Sequence, residues 1–225
     1  MRRTGIAFFD FDGTVVRGDS ILPFIRYGIK TGFAPHSAAI RALWAYMRYA
    51  FHLIGADKAK EASLSFLRGK TSLETDIFAE AFYEHILKKR LYPAAVREIN
   101  QLAREGFTIL LVTASPDAYM NILQRKLAIT DVIATRLALD EQSRYTGRLA
   151  SANCSGFEKT LRVAEYLAAG GLEPDLRVSR SYGNSLSDQP MLELTRLAVL
   201  VNGSRKARRR MPGITYAKWS KRRSA

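Results

Sequence analysis

Two aspartates stand one residue apart near the start of the chain, in the segment Asp10-Phe11-Asp12-Gly13-Thr14. They follow the apolar run Ile6–Phe9, which is typical of a buried strand that delivers its last residue into a loop. Two carboxylates so placed suit a divalent metal ion, because hard cations prefer oxygen ligands, or a nucleophile beside a general acid. An aspartate-rich turn that merely ends the strand is the structural alternative.

Polar side chains also follow other apolar segments further along the chain. Thr113 comes directly after the run Thr108–Val112, and a polar cluster occupies Asn184–Asp188. Ligands of open α/β sheets bind outside the carboxyl ends of the strands. We therefore expect these residues to meet the two aspartates in one crevice.

Apolar runs and helix signals alternate over most of the chain, which predicts an α/β fold with a doubly wound parallel sheet. The predicted strands are Ile6–Phe9, Thr108–Val112, Val132–Ala134, Leu176–Val178 and Ala198–Val201. The predicted helices run from Pro93 to about Gly106, from an N-cap at Ser115 to about Leu127, from Phe157 to Ala168, and from about Gln189 to Arg196. Residues 135–149 are predicted to form a hairpin.

Helix-period patterns dominate from about Ser20 to Arg90, which predicts an all-helical insert after the first strand. Thr71 and Glu74 have capping-box spacing at the start of one of its helices. The predicted division is a catalytic core of residues 1–18 and 91–203, a helical cap of residues 19–90 and a basic tail of residues 204–225.

One stripe in the predicted cap combines large apolar side chains at helical spacing: Ile40, Leu43, Trp44, Met47, Phe51 and Ile54. Such a stripe usually packs into the core of a protein, and we favour that interpretation. Contact with an acyl chain or a membrane is the alternative.

The charge balance favours partners that carry phosphate. Lys and Arg number 35 against 21 Asp and Glu, a net charge of +14, which suits anionic membranes, nucleic acids or phosphorylated metabolites. After Gly203 the chain has nine basic residues and no acidic one, which predicts a loosely ordered tail that contacts anionic lipid or is simply solvated. The absence of an aromatic-interleaved pattern disfavours nucleic acid as a partner.

Cys154 is the only cysteine, which excludes an internal disulfide and fits a reducing compartment. The apolar run before Asp10 is too short for a signal peptide. The longer apolar stretch, Ala38–Gly55, is interrupted by Arg41 and Arg48 and does not fit a membrane-spanning helix. We expect a cytoplasmic protein with peripheral association at the inner membrane surface as an option.

Four segments together resemble the sequence motifs of the haloacid dehalogenase (HAD) superfamily. In chain order they are Asp10–Val15, Val112–Pro116, Gly156–Lys159 and Tyr182–Leu192. The helical insert between the first two resembles the cap of subfamily I-B, the group of phosphoserine phosphatase-like enzymes and phosphatidylglycerophosphatase C. This resemblance implies a HAD Rossmann-like core with a cap inserted after the first strand.

The resemblance also implies roles for individual residues. Asp10 would attack phosphorus and form an aspartyl phosphate, while Asp12 would protonate the leaving group and later activate water. Thr113 and Ala114, with the amides that follow, would bind phosphate oxygens. Lys159 would offset negative charge as a catalytic and phosphate-binding residue, although lysines are more often solvated at the surface.

The expected cofactor is Mg²⁺, with Asp10, Asp12 through its main-chain carbonyl, and Asn184 as ligands. Asn184 departs from the family pattern, which usually has an aspartate there, so we expect weaker Mg²⁺ affinity. Asp188 would either compensate as a further ligand or orient Lys159. No zinc site competes, because the three histidines are dispersed.

Two hypotheses follow for function. The first is a Mg²⁺-dependent phosphatase whose substrate is a phosphomonoester, either a small metabolite such as phosphoserine or a phospholipid headgroup monoester. The second is a catalytically weakened protein of the same fold that binds phosphate or anionic surfaces. The intact Asp10 favours the enzyme, and Asn184 favours the binding protein.

Overall fold

The computed structural model describes residues 5–220 of the chain. Its strands are β1 (Ile6–Phe9), β2 (Thr108–Pro116), β3 (Asp131–Thr135), β4 (Leu137–Leu139), β5 (Tyr145–Leu149), β6 (Arg180–Gly183), β7 (Leu197–Val201) and β8 (Thr215–Ala217). Its helices are α1 (Ile21–Lys30), α2 (Ser37–Ala50), α3 (Ala56–Leu64), α4 (Ser72–Phe82), α5 (Pro93–Arg104), α6 (Asp117–Met120), α7 (Ile122–Lys126), α8 (Phe157–Ala169), α9 (Gln189–Leu192) and α10 (Arg205–Arg210). A π turn at Tyr83–Leu87 and 3-10 turns at Ser65–Leu67, Lys88–Arg90 and Leu186–Asp188 complete the elements.

Six strands form one parallel sheet in the order β3-β2-β1-β6-β7-β8. The order reverses between β1 and β6, and open sheets of this kind bind ligands at such a switch point. The antiparallel pair β4–β5 is the predicted hairpin. The predicted fold class is confirmed.

Both faces of the sheet are covered, as a doubly wound fold requires. Ala7 and Phe9 of β1 belong to the larger apolar cluster, which includes α5 and the helical insert. Ile6 and Phe8, which point to the other side, pack in a second cluster with Val163 of α8. Burial on both faces explains why β1 is a continuous apolar run and not an alternating one.

The predicted strand at Leu176–Val178 is wrong. This segment is a turn with exposed Leu176 and Val178, and the strand is β6, four residues later. β6 escaped the apolar pattern because Ser181 lies inside it, buried. The Ser181 hydroxyl donates to the main-chain oxygen of Leu192 and is paired with Thr195, which satisfies its polarity.

Two predicted helix limits are also wrong. The chain stays extended through Ser115 and Pro116, so the helix begins at Asp117, and it is interrupted after Met120. Ser115 is not an N-cap, because its side-chain hydroxyl donates to Asp12 instead of accepting from a helix amide. The last predicted helix ends at Leu192, four residues before Arg196.

The expectation of a loosely ordered tail from residue 204 is wrong for its described part, and residues 221–225 lie outside the described residues. β8 pairs in parallel with β7 and extends the sheet. Arg208 of α10 stacks on Tyr216 at 3.9 Å from the ring centroid. The Arg208 guanidinium also donates to the main-chain oxygen of Gly203. At least one basic side chain of this segment thus stabilises the fold.

The segment from Ser20 to Arg90 is helical, with the predicted capping box at Thr71 and Glu74 in place. It is joined to the sheet domain by a buried aromatic cluster. Tyr119 of α6 lies 4.5 Å from Phe24 and 5.5 Å from Phe82, centroid to centroid. The rings hold the helices over the carboxyl ends of the strands.

The expectation that the stripe on α2 is core is wrong. Ile40, Trp44 and Phe51 are 61%, 66% and 66% exposed, and Leu43 and Met47 are exposed as well. The buried residues of α2 are Ala38, Ala42 and Ala45. Small side chains let α2 lie close to its neighbours, and its large apolar side chains point to solvent.

Candidate active site

Asp10 follows β1 directly and is buried, as is Lys159 in the first turn of α8. The Lys159 ammonium donates to Asp10 Oδ1 at 2.6 Å and to Asp188 Oδ1 at 2.7 Å. Lys159 is thus not a solvated surface lysine. Burial alone would lower its pKa, but the two carboxylates raise it, so Lys159 stays charged.

Burial and the nearby negative charge of Asp188 raise the pKa of Asp10 to about 6, against the opposing effect of Lys159. The Thr14 hydroxyl donates to Asp10 Oδ2 at 3.1 Å and fixes the other end of the carboxylate. At neutral pH Asp10 is ionised and oriented, as a nucleophile must be.

Asp12 has a different environment. Burial, followed by repulsion from Asp19, raises the pKa of Asp12 to about 7. The Ser115 hydroxyl donates to Asp12 Oδ2 at 2.6 Å, and Asp12 Oδ1 is buried without a hydrogen-bond partner among the described residues. An acid that titrates near neutral pH can both give and take a proton.

The Ser115 hydroxyl also belongs to a small buried hydroxyl network. Ser20 lies 3.0 Å from Ser115 and 2.8 Å from Tyr119 through the hydroxyl oxygens, and Tyr119 donates to Ser115. This network connects the start of the helical segment to Asp12. Sequence reasoning missed it, because Ser115-Pro116 also fits a helix start.

Thr113 and Ala114 lie at the carboxyl end of β2. The Thr113 hydroxyl accepts a hydrogen bond from the Ser115 amide at 3.0 Å, which leaves its hydrogen for another acceptor. The Ala114 carbonyl accepts from the Thr135 hydroxyl and from the Lys60 ammonium. Because the helix starts only at Asp117, the predicted helix N-terminus beside Thr113 is wrong, and main-chain amides of an extended segment stand there instead.

Lys60 is a site residue that sequence reasoning missed. It belongs to α3, yet its ammonium is buried among the Ala114 carbonyl, the Asn153 amide oxygen and the Thr135 hydroxyl. Burial lowers the pKa of Lys60 to about 8, while Asp12 opposes the shift. Lys60 thus brings a positive charge from the helical segment to the ends of β2 and β3, and no sequence motif marks it.

Asp188 is engaged at both carboxylate oxygens. Its Oδ1 accepts from Lys159. Its Oδ2 accepts from the main-chain amides of Asn184 and Ser185 and from the Ser185 hydroxyl. Burial would raise the pKa of Asp188, but Lys159 and these hydrogen bonds hold it below its usual value. The geometry favours an orienting role toward Lys159 over that of a compensating metal ligand.

The sequence predicts Asp10, the Asp12 main-chain oxygen and Asn184 as the Mg²⁺ ligands. Residues 5–220 contain no group of three or more His, Cys, Asp and Glu side chains suited to a metal ion. One end of the Asn184 side-chain amide, however, lies 3.1 Å from the Asp12 main-chain oxygen and 3.3 Å from Asp188 Oδ2. With its nitrogen at that end, the amide donates to both oxygens. With its oxygen at that end, the amide oxygen and the Asp12 main-chain oxygen could share a hard cation, while Asp188 Oδ2 keeps its own hydrogen bonds.

Gly13 allows this approach of Asn184 to the first loop. Its φ is +83°, and a Cβ at this position would collide with the Asn184 amide. The Asp12 main-chain oxygen and the Asn184 amide therefore fit a Mg²⁺ site beside Asp10. The fit uses one amide oxygen where a carboxylate would attract the ion more strongly.

A groove of about 830 Å³ opens between α1, α2 and α3. Most of its lining is apolar or small, and its polar end includes Asp19, Lys60 and Asn153. Since Lys60 contacts the residue after Thr113, the groove extends from the candidate phosphate site outward between the helices. None of the helices within residues 5–220 combines the length and hydropathy that crossing a bilayer demands.

Comparison with protein families gives one match over most of the chain. The model of the haloacid dehalogenase-like hydrolases matches residues 7–193. Protein CicA of Caulobacter vibrioides is 31% identical over 186 residues, 83% of this chain and 81% of that protein. Phosphoserine phosphatase SerB1 of Mycobacterium tuberculosis is 28% identical over 206 residues, 88% of this chain and 65% of that protein.

Two solved structures illustrate the likeness of fold. A protein of unknown function from Bordetella pertussis Tohama I has a TM-score of 0.86 at 26% identity, covering 95% of this chain and 97% of its own. A substrate-bound phosphoserine phosphatase complex has a TM-score of 0.66 at 16% identity, covering 96% and 94%. The second comparison supports a shared fold alone.

Proposed function

Because this chain belongs to the haloacid dehalogenase-like hydrolase family, we propose that it is a Mg²⁺-dependent phosphatase that cleaves a phosphomonoester through an aspartyl phosphate on Asp10. The observation that carries the proposal is the buried contact of Lys159 with Asp10 at 2.6 Å, next to an Asp12 whose pKa is near 7. A charged nucleophile and a proton donor thus stand at one strand end.

In the first step the Asp10 carboxylate forms a bond to phosphorus while the ester P–O bond breaks. Asp12 gives its proton to the departing alkoxide, a role that its raised pKa suits. Lys159 balances the charge of Asp10 and of the transferring phosphoryl group. The Thr113 hydroxyl, whose hydrogen is not used when it accepts from the Ser115 amide, would hold a phosphate oxygen together with the Ala114 main-chain amide.

In the second step Asp12, now a carboxylate, takes a proton from water, which attacks phosphorus and releases Asp10 and inorganic phosphate. Mg²⁺, held by Asp10, the Asp12 carbonyl and Asn184, would neutralise negative charge on the phosphoryl oxygens. Asp188 acts through Lys159, whose ammonium it fixes.

The test is phosphate release from a panel of phosphomonoesters, with Mg²⁺ and with chelator. Wild type should turn over only with the metal, and Asp10→Asn should lose turnover by a factor on the order of 10⁵. Asp140→Asn, a change in an exposed turn, is the matched control and should leave turnover intact. Equal rates for wild type and Asp10→Asn would contradict the proposal.

For the substrate, the groove favours a phospholipid headgroup monoester over a small polar metabolite such as phosphoserine, because its lining is largely apolar. Ala39 lines the groove from an exposed position on α2, so Ala39→Trp should obstruct it without disturbing the core. We expect this variant to raise the KM for a short-chain phosphatidyl phosphomonoester and to leave phosphoserine hydrolysis unchanged. Ala50→Trp, exposed on the same helix outside the groove, is the control.

The second candidate function is phosphate or anionic-surface binding without turnover. The observation in its favour is the Asn184 amide, which can satisfy itself by donating to the Asp12 carbonyl and Asp188 and so leave no metal site. This alternative would be supported if wild type binds phosphate but releases none from any substrate, and if Asn184→Asp gains turnover.

We also propose a cytoplasmic location, with exposed basic residues of α10, Arg209 and Arg210 among them, as a contact for anionic lipid. Replacing both arginines with glutamine should weaken binding to anionic vesicles, and unchanged binding would exclude this contact.

A further inference from the structure

The outer face of α2, defined as Ile40, Leu43, Trp44, Met47 and Phe51, exposes large apolar side chains at the protein surface. Four of these side chains are more than 60% exposed, and Met47 is 44% exposed. They recur at spacings of three and four residues and so lie on one side of the helix. Apolar clusters of this kind on a water-facing helix mark interaction sites.

The opposite side of α2 is already occupied. Ala38, Ala42 and Ala45 are buried against the rest of the protein, so the large side chains cannot turn inward by a rotation of the helix without exposing these alanines and forcing bulk into their place. The outer face is therefore not covered by residues 5–220 and is available to an occupant from outside the chain.

The charge around this face identifies the kind of occupant. Between Asp19 and Asp57 the chain contains no acidic residue, whereas Arg26, Lys30, Arg41 and Arg48 are all basic. Arg41 and Arg48 are exposed on α2 itself, beside the outer face. Two copies of such a face would bring like charges together, whereas an anionic surface would neutralise them.

One side-chain type on the outer face fits the boundary between lipid headgroups and acyl chains. Trp44 is 66% exposed there, and aromatic side chains with a polar group are favoured at that boundary. A helix with an apolar face and flanking arginines lies in the plane of the membrane and does not cross it. This agrees with the 14-residue length of α2.

We propose that the outer face of α2 inserts into the surface of an anionic lipid bilayer. Leu43 belongs both to this face and to the lining of the groove between α1, α2 and α3. Docking therefore places the groove at the lipid surface. The proposal goes beyond the proposed function and does not require turnover, since lipid binding is measured without substrate.

The test uses the full chain and vesicles of phosphatidylglycerol mixed with phosphatidylcholine, compared with vesicles of phosphatidylcholine alone. Trp44→Ser combined with Met47→Ser should weaken cosedimentation with the anionic vesicles by about tenfold or more, because exposed apolar area drives insertion. The matched control is Leu73→Ser combined with Ile77→Ser on α4. These two side chains, at 69% and 66%, are at least as exposed as Trp44 and Met47. This control should bind like wild type.

Charge is tested separately with Arg41→Gln and Arg48→Gln, each expected to weaken binding to anionic vesicles by roughly fivefold. A spectroscopic readout comes from Trp219→Phe, which leaves Trp44 as the only tryptophan. Its fluorescence should shift to the blue with anionic vesicles and be quenched by brominated lipid. Both effects should persist in Asp10→Asn, which separates docking from catalysis.

Three results would overturn the proposal: vesicle binding that survives the Trp44 and Met47 changes, equal loss in the α4 control, or a Trp44 signal indifferent to lipid. Self-association that is abolished by the outer-face changes, without vesicle binding, would assign the face to a second copy of the chain and also overturn it.

Discussion

At the carboxyl ends of β1 and β6 charged side chains are buried, whereas along α2 large apolar side chains are exposed. The buried charges are paired: Lys159 forms ion pairs with Asp10 and Asp188, and a main-chain amide donates to Asp188. The outer face of α2 has no packing partner within the residues described. The first region satisfies its charges within the protein, whereas the second leaves apolar area exposed to solvent.

The largest effect is expected from removing the shared cation. Lys159→Met leaves Asp10 and Asp188 buried without their partner, which should cost about 3–5 kcal/mol of unfolding free energy. The pKa of Asp10 should rise further, so turnover should fall even where the protein is folded. Lys88→Met, which removes an exposed ion pair with Glu84, should barely change the denaturation midpoint. Equal stability of the two variants would contradict the role given to Lys159.

A bulky side chain on the buried alanine side of α2 should destabilise the protein, whereas a change on its outer face should not. Ala45→Leu forces volume into a buried position and should lower the unfolding free energy by about 1–3 kcal/mol. The outer-face change Met47→Ser should alter it by less than about 0.5 kcal/mol. Urea denaturation of both variants measures the difference, and a destabilised Met47→Ser with a tolerant Ala45→Leu would reverse the assignment of faces.

Placing a carboxylate at position 184 should strengthen the binding of Mg²⁺. Asn184→Asp adds a charged oxygen beside the Asp12 carbonyl, so the Mg²⁺ concentration for half-maximal turnover should fall by about tenfold. Asn121→Asp, at an exposed position between α6 and α7, serves as control. Unchanged Mg²⁺ dependence in Asn184→Asp would mean that residue 184 does not contact the ion.

The smallest effect concerns pH. In the proposed mechanism turnover needs protonated Asp12, so it should decline as the pH rises through the pKa of Asp12, near 7. Ser115 stabilises the ionised form through its hydrogen bond, and Ser115→Ala should therefore raise this pKa and move the alkaline limb upward by about 0.5–1 pH unit. Ser63→Ala, whose hydroxyl donates to a main-chain oxygen within α3, should leave the limb in place. A downward shift in Ser115→Ala would refute the proposed direction.

Much of this arrangement was readable from the sequence, because β1, β2 and β7 are apolar runs and because Asp10, Asp12 and Lys159 lie in recognisable motifs. β6 was not, since a satisfied buried serine looks like a loop residue. The orientation of α2 was missed because helical periodicity identifies an apolar stripe but not which side faces the core. Lys60 was missed because its partners, the Ala114 carbonyl and Asn153, come together only in three dimensions.

In the proposed mechanism Asp10 becomes phosphorylated during turnover. The most direct measurement is a rapid acid quench with substrate and Mg²⁺, followed by borohydride reduction and peptide mapping, which converts an aspartyl phosphate to homoserine. We expect homoserine at position 10 in wild type. Its level should be higher in Asp12→Asn, because the hydrolytic water is no longer activated while some phosphoryl transfer persists. Homoserine elsewhere, or phosphate release at wild-type rate with position 10 unmodified, would contradict it.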